Sequence, residues 1–139
     1  MLIASVALSA CGPKGSENPL LQEWKTPFNV PPFELIKTEH YMPAYEEAMK
    51  QHVAEIDAIV TSTELPTFEN TIVAYDKAGR LLRKISPVFS GINSASTTPE
   101  LQEIAKQLSP IMSQHYDNIR LNVGLFQREI GRASCRERV

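Results

Sequence analysis

The chain has 139 residues, 14 of them Lys or Arg and 16 Asp or Glu, for a formal net charge of −2. That near-neutral balance excludes a surface built to neutralise a phosphate backbone, and no nucleic-acid partner is expected. The two cysteines, Cys11 and Cys135, offer no disulfide framework, so stability has to come from packed apolar faces.

Residues 1–11 form a short apolar run ending in small residues, too short to span a bilayer as a helix, and read as a targeting segment. Leu8, Ser9, Ala10 and Cys11 resemble the lipobox of bacterial lipoproteins, in which the cysteine thiol receives a diacylglycerol and becomes the first residue after cleavage. Lipidation is therefore expected at Cys11, with membrane attachment through that anchor and a place in the bacterial cell envelope, facing the periplasm or on the outer membrane. The polar run from Gly12 to Asn18 reads as a tether. The plainer alternative makes Cys11 one more small residue of a buried strand or helix. No Lys or Arg follows Met1, although a signal peptide ordinarily opens with a basic stretch.

Residues 12–37 complete the tether and an extended arm. Pro19, Pro27, Pro31 and Pro32 forbid a continuous helix there, while Leu20, Leu21, Trp24, Phe28, Val30 and Phe33 supply large apolar groups. Trp24 and Phe28 are expected to be packing anchors. Residues 38–128 carry helical periodicity. A first helix is predicted from about Met42 to Val60, with Pro43 near its first turn and Tyr45, Ala48, Met49, Val53, Ile56, Ile59 and Val60 on its apolar face. Thr67 is placed to cap a second helix that continues through Phe68, Ile72, Tyr75, Ala78, Leu82, Ile85, Phe89 and Ile92, with a kink expected at Pro87. Thr98 and Pro99 open a third, carrying Leu101, Ile104, Leu108, Ile111, Met112 and Ile119 inward, with Pro110 bending or dividing it. Asn122 is placed to cap a fourth, which starts with Val123, Leu125 and Phe126. The predicted fold class is all-α, with antiparallel helices joined by short loops and an extended proline-rich N-terminal arm.

The last segment, residues 129–139, breaks from this pattern: Ile130 to Val139 has neither apolar periodicity nor a cap. Its codons can be written so that they resemble a common sequencing adapter read in frame, and it is expected to be non-native and outside the fold. The alternative is a basic tail that touches nucleic acid or membrane, given three arginines in ten residues.

Motifs that carry chemistry are missing. A thermolysin-type zinc hydrolase needs two histidines four apart on one helical face with a glutamate between them, and no H-E-x-x-H occurs. His40, His52 and His115 lie 12 and 63 residues apart and read as capping or interhelical hydrogen-bonding residues. The six glycines are scattered singly, so no nucleophile elbow, dinucleotide turn or phosphate loop exists. Glu46 and Glu47 point about 100° apart on a helix and cannot share a substrate as acid and base. Met42, Met49 and Met112 follow the apolar stripe as core filler. The chain itself is thus expected to hold no catalytic, cofactor-binding or metal site, to bind no zinc and to be inactive alone.

Particular strings nonetheless carry a resemblance. Glu39-His-Tyr-Met-Pro-Ala-Tyr-Glu-Glu-Ala-Met-Lys-Gln-His52, then Pro66-Thr-Phe-Glu-Asn-Thr71, then Leu121-Asn122 with Leu125-Phe126, resemble the N-terminal region of the thimet oligopeptidase group of zinc metallopeptidases, and within it the bacterial dipeptidyl carboxypeptidases. The resemblance runs from about Asn18 to Arg128. It implies one wall of a larger, mostly helical peptidase that hydrolyses short peptides, releasing C-terminal dipeptides, with zinc bound several hundred residues further on. Thr67, Phe68, Glu69 and Asn70 match the family string, but their chemistry reads as capping and packing. A second reading keeps the same helices as a self-standing lipoprotein binding module of the periplasm. A contiguous gene sequence across the Arg128 codon separates the two.

Overall fold

The computed structural model describes residues 18–136, with side chains through residue 131. Every regular element among them is helical, and no strand is present, which establishes the all-α class.

The arm enters through a turn at Asn18, whose side-chain amide donates to the His40 carbonyl at 2.8 Å and whose Oδ1 accepts the Leu20 N–H at 3.0 Å. That tie buries Leu20 completely. Trp24 donates its indole N–H to the Pro19 carbonyl at 3.0 Å and packs against the core, with the Lys84 ammonium 4.3 Å from its ring centroid. Phe28 does not act as the second anchor. It is 99% exposed, at a backbone φ of 60°, on a 3₁₀ turn that places its ring away from the protein.

Helix α1, Tyr41–Val60, is the axis of the fold and contacts α3, Arg80–Ala95, α4, Pro99–Arg120, and α5, Val123–Arg136. Its buried residues are Tyr41, Ala44, Tyr45, Ala48, His52, Ile56 and Ile59, a single stripe at spacings of three and four. Val53, predicted to lie on that stripe, is 44% exposed. His52, one residue and about 100° away, takes the inward place instead.

The predicted second helix is broken, and not where proline suggested. A π-helical turn, Phe68–Val73, leads into one short α-helical turn, α2, Ala74–Lys77. Ala78 is then extended, Gly79 is left-handed at φ 72°, and α3 begins. Only a glycine takes that conformation without cost, and the chain turns there because the Glu55 carboxylate of α1 accepts the Gly79 N–H at 2.7 Å. Pro87 lies inside α3 and Pro110 inside α4, each within an uninterrupted helix. Packing of Ile85, Val88 and Phe89 on α3 and of Leu108 on α4 holds both helices across a missing backbone donor.

The three predicted caps form. Thr67 Oγ1 accepts the Asn70 N–H at 3.1 Å, Thr98 Oγ1 the Leu101 N–H at 3.3 Å, and Asn122 Oδ1 the Leu125 N–H at 3.0 Å. Ile111, Phe68, Val123 and Phe126 are exposed despite their place in the apolar pattern. Nor does helical structure stop at Glu129. α5 runs to Arg136, since Arg, Glu and Ala in that segment favour a helix and no proline ends it.

The buried side chains divide into two clusters. The larger joins Leu20, Tyr41, Tyr45, Leu82, Ile85 and Phe89 with their neighbours on α1, α3 and α4. The smaller joins Ile56, Ile59, Ala78, Ile119 and Leu125 at the far end of α1. Tyr41 and Tyr45 meet Phe89 edge-on, with centroids 5.0 and 5.9 Å apart. Gly124 lets α5 close on α1, where a Cβ would run into Val60.

Candidate functional site

Between the two clusters the inward stripe turns polar. On α1, His52 stands one turn after Ala48 of the larger cluster and one turn before Ile56 of the smaller. On α4, His115 stands one turn before Ile119. Their rings meet: His52 Nδ1 and His115 Nε2 are 3.0 Å apart, and each residue is only 7% exposed. One imidazole donates and the other accepts, so the bond exists only while at least one ring keeps an unprotonated nitrogen in it. Tyr116 lies edge-on to both rings, at 6.3 Å from His52 and 5.5 Å from His115.

The pair is built against the helix break. A Cβ on Gly79 would stand 2.9 Å from His52 Cε1 and 3.0 Å from both ring nitrogens, so the His52 ring occupies the space that glycine leaves. Glu55, three residues after His52, holds the same glycine by its N–H. Burial lowers the His52 pKa below its ordinary 6.5; the nearby His115 and Arg83 act in the same direction and the Glu55 carboxylate opposes them. Burial likewise lowers that of His115.

Two depressions adjoin this node. A cleft of about 380 Å³ is lined by His52, Tyr75, Gly79, Arg83, Tyr116 and Arg120. A larger, mainly apolar groove of about 690 Å³ runs between α3 and α4, with Tyr45, Leu82, Phe89, Leu108, Met112 and Tyr116 among its walls. Burial raises the pKa of the Tyr45 phenol at its floor, against a hydrogen bond with Ser86 that lowers it.

The Thr67–Asn70 string forms a second ordered centre. Asn70 Oδ1 accepts the Thr67 N–H at 2.8 Å and the Thr71 hydroxyl at 3.0 Å, while Asn70 Nδ2 donates to the Leu65 carbonyl at 2.9 Å. Arg128, 8% exposed, reaches across from α5 and donates to the Ser62 carbonyl at 2.7 Å and the Glu64 carbonyl at 3.3 Å. These contacts fix backbone, and Thr67 and Asn70 work as a reciprocal cap. Cys11, the expected lipidation site, lies outside the described residues. His40 accepts the Lys37 N–H through Nδ1 at 3.1 Å at the entry to α1.

No family model matches the chain. Individual proteins do. Dipeptidyl carboxypeptidase of Escherichia coli is 39% identical over 111 residues, 80% of this chain and 16% of the relative. Dipeptidyl carboxypeptidase of Salmonella typhimurium is 38% identical over 113 residues, 81% of this chain and 17% of the relative. Oligopeptidase A of Escherichia coli is 31% identical over 110 residues, 79% of this chain and 16% of the relative. The chain is a homologue of the dipeptidyl carboxypeptidase and oligopeptidase A peptidases.

The chain spans about one sixth of the length of these peptidases (16% and 17%). Metal-dependent peptide hydrolysis calls for about three protein ligands around one ion. The described residues do not fit such a centre: no group of three His, Cys, Asp or Glu gathers among them. The closest approach is the His52–His115 pair, whose facing nitrogens are spent on each other. Interhelical hydrogen bonding, expected of the histidines, is what His52 and His115 do, while His40 serves the helix entry; periodicity alone did not join the two as a pair, although one signal was available. His52 and His115 each fall on the inward stripe of a helix, four residues from a buried isoleucine.

Proposed function

We propose that this chain is the N-terminal helical region of a longer zinc peptidase of the dipeptidyl carboxypeptidase type, which hydrolyses short peptides and releases C-terminal dipeptides. The observation that carries the reading is the 39% identity to a dipeptidyl carboxypeptidase over 80% of this chain but 16% of the relative. In this reading zinc and its ligands belong to parts of the polypeptide beyond the described helices, which serve as scaffold. Lipidation at Cys11 tethers the enzyme to the cell envelope, an assignment that rests on the lipobox-like run Leu8 to Cys11.

The test compares two proteins on one set of substrates. The uninterrupted gene, sequenced past the Arg128 codon and expressed whole, is assayed with N-blocked peptides whose C-termini are free or amidated, and products are read by mass spectrometry. The 139-residue chain is assayed beside it. Zinc-dependent release of C-terminal dipeptides by the long protein alone is the expected result. Cleavage by the short chain, or a gene that ends in the same frame without a metal-binding motif, overturns the reading.

A further inference from the structure

The buried histidine pair has no part in the peptidase reading, yet it joins α1 to α4 beside the break before α3. Its surroundings are explicit. Glu55 faces it from α1, Asp76 and Arg83 from α2 and α3, and Tyr116 and Arg120 from α4, the last four with His52 around the same cleft. Glu55 is already engaged by the Gly79 N–H, Arg83 donates to the Asp76 carbonyl at 2.7 Å, and the Arg120 guanidinium lies over the Tyr116 ring at 5.9 Å.

A first proton taken up by the pair is tolerated, because an imidazolium N–H can still donate to the neutral ring across 3.0 Å. A second leaves two donors face to face, two positive charges at hydrogen-bond distance in a site of low exposure, and no acceptor between them. The rings cannot rotate away freely: Gly79 stacks against His52 and Tyr116 borders both. Relief requires α4 to move from α1, or the Gly79 break to open.

We propose that the His52–His115 pair is an acid-sensitive latch, whose full protonation parts α4 from α1 at the Gly79 break and uncouples the two apolar clusters. Burial holds both histidines below the ordinary 6.5, so unfolded chains take up protons before folded ones as the pH falls. Stability contributed by the pair is therefore complete above about pH 6.5 and lost on descent through the lower, folded values. Each unit by which a ring's pKa is lowered costs about tenfold in the folded-to-unfolded ratio at the acid limit.

The experiment is urea unfolding of the whole chain between pH 7.5 and 5, above the range where ordinary carboxylates titrate, beside His115→Gln. Glutamine can donate to His52 Nδ1 but does not titrate. The expected result is a wild-type stability that is lost progressively as the pH falls through this window, and a variant profile that is markedly flatter. Equal slopes overturn the proposal. Should the variant not fold, proton NMR of the wild-type imidazoles decides. Coupled titration of both rings below 6.5, with Gly79 amide protection lost in the second step, supports the latch, while independent titration at or above 6.5, or protection unchanged throughout, refutes it.

Discussion

Gly79→Ala tests the helix break and the histidine node together. At φ 72° an L-residue pays about 1–2 kcal/mol for left-handed backbone. The new methyl would also meet three atoms of the His52 ring at 2.9–3.0 Å, so the ring has to shift and its bond to His115 is distorted. Weakening that 3.0 Å bond costs about 1 kcal/mol more. Reduced freedom of the unfolded chain returns about 0.5 kcal/mol, which leaves a net loss of about 2 kcal/mol and, at 4–8 °C per kcal/mol for a domain of about 100 residues, a drop in Tm of roughly 10 °C. Gly91→Ala is the matched control. It sits inside α3 with nothing within 4 Å of its would-be Cβ, and alanine there stabilises by about 0.5–1 kcal/mol. Thermal and urea denaturation of both variants should give shifts of opposite sign. A Gly79→Ala protein within about 0.5 kcal/mol of wild type, or one that shifts in the same direction as Gly91→Ala, refutes the assigned geometry.

Asn70→Ala removes the amide that caps the π-helical turn and holds Leu65, and should destabilise the chain by about 1–2 kcal/mol in urea unfolding; Asn70→Asp should recover the cap to Thr67 but not the donor to Leu65. Arg128→Met leaves the Ser62 and Glu64 carbonyls, both served by Nη1, without their charged donor and should cost about 2 kcal/mol in urea unfolding. Cys11→Ser should abolish lipid labelling and membrane fractionation in a bacterial host, since it removes the thiol that the lipobox-like run presents; unchanged membrane association would remove the case for an anchor there.

What could be read directly from the sequence was local. Thr67, Thr98 and Asn122 cap helices because a side-chain oxygen beside the first free N–H groups needs nothing distant to form its bond. The stripe on α1 was legible for the same reason, up to the point where a polar residue joined it: an apolar count selects Val53 and passes over His52. The break at Gly79 was hidden because proline dominates any sequence search for interruptions, whereas glycine becomes a breaker only when tertiary partners hold it left-handed. Those partners, Glu55 and His52, come from another helix. The pairing of His52 with His115 across 63 residues depends on how α4 lies along α1, and no short-range pattern contains that. Phe28 shows the converse, a large apolar side chain whose backbone conformation carries it outward.

The family-like string has a physical explanation that involves no substrate. Position 70 must accept from the Thr67 N–H and Thr71 hydroxyl while donating to the Leu65 carbonyl, and asparagine is the short side chain that does both. Thr67 has to return a cap to the Asn70 N–H, and Pro66 precedes it because the residue before a helix start can be extended. Arg128 then closes α5 over the loop between α1 and this turn, with its second nitrogen 3.5 Å from Asn70 Oδ1. Backbone and capping contacts thus account for Thr67, Asn70 and Arg128. Dipeptidyl carboxypeptidase and oligopeptidase A relatives each match about four fifths of this chain (80% and 79%). Every partner in this network is a backbone group or a neighbouring cap side chain, so substitutions at Thr67, Asn70 and Arg128 should register first in the stability of these helices.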